Sequence, residues 1–182
     1  AAGALPPFIG IRVKPYSREL APRSIRTLDV FVTELVGATG GALPPNFVVT
    51  LPKITSVADV ETLVWLFGEL EEKLDLSAGA LKLEIMVETT HCIMDPKGRS
   101  MLPRLLDAAA GRMIGAHFGT YDYTANCDIT AAHQKMSASA CDFAKHMMKV
   151  SFAQTGVALS DGATVIMPVG PHKAPAGGAL TD

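Results

Sequence analysis

The chain has 182 residues, 48% of them hydrophobic and 19% charged, which is enough for one globular domain with a substantial core. Sixteen Lys and Arg against 18 Asp and Glu leave a formal net charge of -2. That balance gives no electrostatic footprint for nucleic acid or an anionic membrane, and no apolar run reaches bilayer-spanning length. The opening AAGALPPFIG has no basic segment followed by an apolar stretch, so no secretory signal is expected. It also lacks an initiator Met, which leaves processing, truncation or excision from a longer chain open. The three cysteines, Cys92, Cys127 and Cys141, are odd in number and lack CxxC spacing, so they read as reduced thiols packed as small hydrophobes in a cytoplasmic protein.

In chain order, FIGIRVK (8–14) reads as a short β-branched strand ending in charge. A helix follows after Pro22, with Ile25, Leu28, Val32, Leu35 and Val36 on one face, and stops near GATGG. FVVTLPK (47–53) is the second strand. Ser56 and Asp59 form a capping-box pattern for a helix with Val57, Val60, Leu63, Val64, Phe67 and Leu74 in its apolar stripe and Glu69, Glu71 and Glu72 on a solvated face. LKLEIMVET (81–89) is the third strand, and the polar loop HCIMDPKGRS leads to a short helix near 101–110. MIGAHFGTYD (113–122) reads as the fourth strand, running out at Asp122 between Tyr121 and Tyr123. Residues 138–153 form a helix with Phe143, Met147 and Val150 inward, and GVALSDGATVIMPVG carries a fifth strand or two short ones. Residues 1–170 are assigned to one domain and 171–182 to a flexible Gly/Ala/Pro-rich tail.

Strands alternating with helices imply an α/β fold with parallel pairing and right-handed crossovers. A doubly wound open sheet and a TIM-type β/α barrel both fit. Five strands suffice for the first and cannot close the second, which typically takes about 250 residues. Neither GxGxxG nor GxxxxGK[ST] is present, so nucleotide-sheet readings lose their usual support.

Charged residues recur where the strands end: Arg12 and Lys14, then Lys53, Glu88 and Asp122. In parallel α/β folds the ligand lies outside the carboxyl ends of the strands. A carboxylate set between two aromatic rings, as Asp122 is in sequence, needs a positive partner if buried. Glu88 and Asp122 on adjacent strands suit a hard cation, Mg2+ or Mn2+, and Arg12 suits a substrate carboxylate. Glu84 shares the face of Glu88 one layer deeper and reads as a structural acid paired with Lys82 or another base. His91 and His117 are weaker candidates for proton transfer, His133, His146 and His172 weaker still, and Asp161 in LSDG reads as a turn residue.

Taken in order, IRVK, LPKITSVADV, LEIMVETT and FGTYDYTA resemble the HpcH/HpaI aldolase and citrate lyase β-subunit group over roughly residues 8–170, closest to an uncharacterised bacterial branch of it. The resemblance implies a phosphoenolpyruvate/pyruvate-type barrel of which this chain supplies about five strands. It implies Mg2+-dependent carbon–carbon cleavage or formation through an enolate, on a 2-oxo acid, a hydroxy acid or its acyl-CoA thioester. By position it assigns Arg12 to substrate binding and catalysis, Lys53 to substrate binding, and Glu88 and Asp122 to the metal. Unpaired strand edges would favour a homo-oligomer. The alternative is a non-catalytic binding or scaffold domain that retains an ancestral metal and oxo-acid site.

Overall fold

β-Branched and aromatic runs set the strands, and helical apolar stripes cover one side of them. A computed structural model describes residues 6–164. In order these are β1 (Ile9–Arg12), α1 (Ala21–Ala38), β2 (Phe47–Leu51), α2 (Val57–Lys73), β3 (Lys82–Val87), α3 (Thr90–Ile93), α4 (Leu102–Ala108), β4 (Met113–Phe118), α5 (Thr120–Asn126), a 3-10 turn (Ala131–His133), α6 (Ser139–Ser151) and β5 (Ala158–Ser160). The tail expected at 171–182 and the end (165–170) of the segment expected to hold the fifth strand lie outside the described residues. No helix among the described residues is long and apolar enough to cross a membrane.

All five strands are parallel and lie in the order β1-β2-β3-β4-β5. A doubly wound sheet reverses its strand order at a switch point. Here each strand adds to the same edge, which is the arc of a β/α barrel. Alternation then sorts the side chains. Phe47, Val49 and Leu51 of β2, Leu83, Ile85 and Val87 of β3, and Ala116 and Phe118 of β4 are buried against the helices. On the opposite face the register aligns Arg12, Thr50, Glu84 and Gly115 in one row across four strands. β1 and β2 close tightly there, because a Cβ at Gly10 would collide with the Val48 carbonyl oxygen.

The helices follow their sequence patterns with instructive exceptions. α1 has Pro in its first turn and buries Leu28, Val32 and Val36, while Ile25 lies at the edge of the stripe and is exposed. α2 carries the capping box, with the Asp59 carboxylate accepting the N–H groups of Thr55 and Ser56. Glu71 is not on a solvated face: it is 3% exposed and accepts N–H bonds from Leu81 and Gly79 and two from the Arg112 guanidinium. α6 is rotated from the expected face. It buries Cys141, Ala144 and Met148, and leaves Phe143 exposed and Val150 77% exposed.

HCIMDPKGRS is not all loop: its first three residues belong to α3, and the turn after that helix is ordered by one acid. Asp95 accepts the N–H groups of Lys97 and Arg99 and the Arg99 guanidinium. The Arg99 backbone bond leads these effects, which together hold the Asp95 pKa down at about 2.

Candidate metal and substrate site

Three of the four site residues expected from the sequence gather at the carboxyl end of the sheet. Glu88 follows β3 directly and is 3% exposed. Lys53 sits in the loop after β2 with a left-handed backbone, φ 50°, uncommon for a residue with a side chain. That conformation aims its N–H at Glu88 Oε1, 2.8 Å away. Its Nζ makes an ion pair with the Asp122 carboxylate.

Asp122 reaches this place differently from the sequence expectation. β4 ends at Phe118, Gly119 is the N-cap, and Asp122 occupies the first turn of α5. Nor is it buried between two rings. Its side chain is 51% exposed, and of its two neighbours Tyr123 is the buried one, packed edge-on against Phe118 at 5.4 Å. The acid that has lost its water is Glu88. Burial is the main cause of its raised pKa, opposed by the Lys53 N–H and reinforced by the adjacent Asp122, which acts on it through charge and direct side-chain interaction.

The surroundings fix Glu88 in place. The Thr89 hydroxyl donates to the Ile54 carbonyl and accepts from the Cys92 N–H, joining the β2–α2 loop to the cap of α3. Burial, followed by the charges of Glu88 and Asp59, pushes the Cys92 thiol up to about 12. Cys92, Cys127 and Cys141 are all free thiols. A Cβ at Gly119 would come within 2.6 Å of Glu88 Cβ and 2.8 Å of Oε2. Gly119 is thus a site residue that the sequence reasoning passed over. Its only sequence signal is a glycine at the seam of FGTYD. A cleft of about 420 Å³ lined by Pro15, Tyr16, Lys53, Thr55, Thr89 and Asn126 opens beside the group.

The remaining candidates are spread more widely. Arg12 closes β1 in the row of Thr50 and Glu84, exposed, with β2 lying between it and the strand that leads to Glu88. The partner of Glu84 is not a base: the Thr50 hydroxyl donates to its Oε1 at 2.7 Å. His117 Nδ1 lies 2.6 Å from Ser160 Oγ on the same open face. Asp161 turns to Lys145, 3.6 Å away and also 3.3 Å from Asp142, in a separate cleft between β5 and α6.

Two adjoining carboxylates, one of them nearly waterless, form a donor set that fits a hard divalent cation. Mg2+ commonly takes one or two protein carboxylates and fills its other positions with water and substrate. Among the described residues no cluster of three or more His, Cys, Asp or Glu that could hold a metal is found.

A family model described as "Domain of unknown function (DUF6986)" matches residues 1–180. No curated protein matches the chain. Solved structures share its fold at low identity. Haloferax volcanii malate synthase in its magnesium/glyoxylate complex is 15% identical, with a TM-score of 0.66 over 88% of this chain and 45% of that one. The same enzyme as a pyruvate/acetyl-CoA ternary complex is 15% identical, with a TM-score of 0.63 over 86% and 40%. An HpcH/HpaI aldolase/citrate lyase family protein from Burkholderia cenocepacia J2315 is 15% identical, with a TM-score of 0.56 over 85% and 58%. The chain therefore spans about half the length of the solved structures it resembles.

Proposed function

From the premise that the chain belongs to the DUF6986 family, we propose that it forms the metal-and-substrate half of a Mg2+-dependent carbon–carbon lyase or aldolase. Its substrate is a 2-oxo acid, a hydroxy acid or its acyl-CoA thioester, and the reaction passes through an enolate. The observation that carries this reading is the meeting of Glu88, Asp122 and Lys53 beyond the carboxyl ends of β2, β3 and β4. The shared fold with malate synthase and an aldolase/citrate lyase family protein supports the chemistry. The same reading makes the protein a cytoplasmic homo-oligomer whose residues 1–170 are one barrel domain.

In this assignment Glu88 and Asp122 hold the cation. When bound, Mg2+ supplies Lewis-acid polarisation of a carbonyl oxygen. Arg12 presents a planar guanidinium able to grip a substrate carboxylate in bidentate fashion. Lys53 adds a positive charge beside the same position, so charge developing on the substrate oxygen meets preorganised cations. Gly119 leaves the room that Glu88 occupies.

Calorimetric titration with Mg2+ tests the reading. The protein binds one Mg2+, and Glu88→Gln and Asp122→Asn each weaken binding by at least about a hundredfold, the scale expected for lost metal ligands. Undiminished binding in both variants rejects the metal assignment. Pyruvate or oxalate should bind only after Mg2+, and Arg12→Ala should remove that second step. Ligand binding without turnover across 2-oxo acids and acyl-CoA thioesters identifies the binding-domain alternative.

A further inference from the structure

Lys53 serves both acids at once, and through two chemically different groups. The backbone N–H holds Glu88, fixed by the left-handed turn at φ 50°. The side chain holds Asp122. Two carboxylates that share one lysine lie close enough to repel each other, and a tethered ammonium is the simplest remedy available to a protein without a bound metal. The two holds differ in permanence. The N–H bond belongs to the backbone and to a buried acceptor. The ion pair joins side chains that are 46% and 51% exposed, so it is weak and cheap to exchange.

Resting on the metal reading above, we propose that the Lys53 ammonium is a built-in counter-cation. It neutralises the Glu88–Asp122 pair in the metal-free protein, yields Asp122 to the divalent cation, and is thereby released toward the substrate. A divalent ion outcompetes the ammonium by charge, while the Lys53 N–H keeps Glu88 in place throughout the exchange. The exchange has a thermodynamic signature: deleting the competitor tightens metal binding, whereas deleting an ordinary supporting residue weakens it.

The test is Mg2+ calorimetry and thermal unfolding on the intact protein, with Lys53→Gln and Lys53→Met as two neutral variants and Lys53→Arg as the charged control. Both neutral variants should bind Mg2+ about three- to tenfold more tightly than the parent, the range set by an exposed ion pair plus relief of charge repulsion. Lys53→Arg should stay within about twofold of the parent. In EDTA the neutral variants should melt roughly 1–3 °C lower, with a larger rise on adding Mg2+. Unchanged or weaker Mg2+ binding in both neutral variants, with the parent still binding, overturns the exchange and leaves the metal site standing. Absence of binding in the parent overturns both.

Discussion

Glu71 and Glu88 are both 3% exposed, and they lie at opposite ends of the same parallel sheet. Glu71 sits near the amino ends, where Leu81 and Arg112 lead into β3 and β4. Its two oxygens receive the N–H groups of Leu81 at 2.8 Å and Gly79 at 3.0 Å, and both arms of the Arg112 guanidinium. Burial alone would push its pKa up, but those donors outweigh it and hold the carboxyl below the usual range. Glu88, beyond the carboxyl ends, receives one backbone N–H, and the nearby ammonium is engaged with its neighbour Asp122. Its pKa is raised, by burial first. A buried acid with every lone pair answered is framework. One met by a single backbone N–H beside a second carboxylate is held at some expense, which is the feature the proposed cation would relieve.

The sharpest way to break this comparison is to unbalance the framework acid. Arg112→Ala leaves the Glu71 carboxylate buried beside two N–H groups and should cost about 3–5 kcal/mol, read by urea unfolding. A loss below about 1 kcal/mol would mean that the pair contributes little.

pH separates the two acids by sign. Glu71 has a lowered folded pKa, so its contribution is present above the unfolded value of about 4.3 and disappears as pH falls through the folded value. Glu88 has a raised folded pKa, so its effect reverses. Folding favours its protonated form, and the penalty grows as pH rises from about 4.3 through the folded value. In EDTA, melting curves against pH should lose part of their acid-side decline in Glu71→Gln and part of their decline above pH 4.3 in Glu88→Gln.

The smallest effect is the most discriminating. Glu88→Gln keeps an oxygen to accept the Lys53 N–H and removes the repulsion from Asp122. The metal-free variant should therefore be as stable as the parent or up to about 1 kcal/mol more stable. A loss of 2 kcal/mol or more in EDTA would place Glu88 with Glu71, as framework.

Much of this fold is legible in the sequence because strands and caps are local. FVVTL alternates and carries its own burial pattern, and Ser56 with Asp59 announces a helix start. The arrangement of the strands is not local. Only the pairing order distinguishes a barrel arc from a doubly wound sheet. Positions along the chain also placed Glu88 and Lys53 at the strand ends, since polar residues begin where pairing stops. Glu71 was illegible because Arg112 lies 41 residues away, and a glutamate between two others reads as surface. Asp122 was misplaced because TYDYTAN, rich in β-formers, becomes helical after Gly119. α6 was turned because Phe143 and Val150 outrank Cys141 and Ala144 in hydropathy. Close packing against α4 and α5 selects the small residues instead.

Cys92 has a use that its chemistry alone would not announce. Its side chain is fully enclosed in α3, four residues after Glu88, and burial pushes its thiol up to about 12. Alkylating reagents at neutral pH should reach it only through local opening, and the Thr89 clamp between the β2–α2 loop and α3 is the nearest contact that such opening would break. The labelling rate of that one sulfur therefore clocks how often the floor beneath the acids breathes, and any ligand that draws the two loops together should slow the clock.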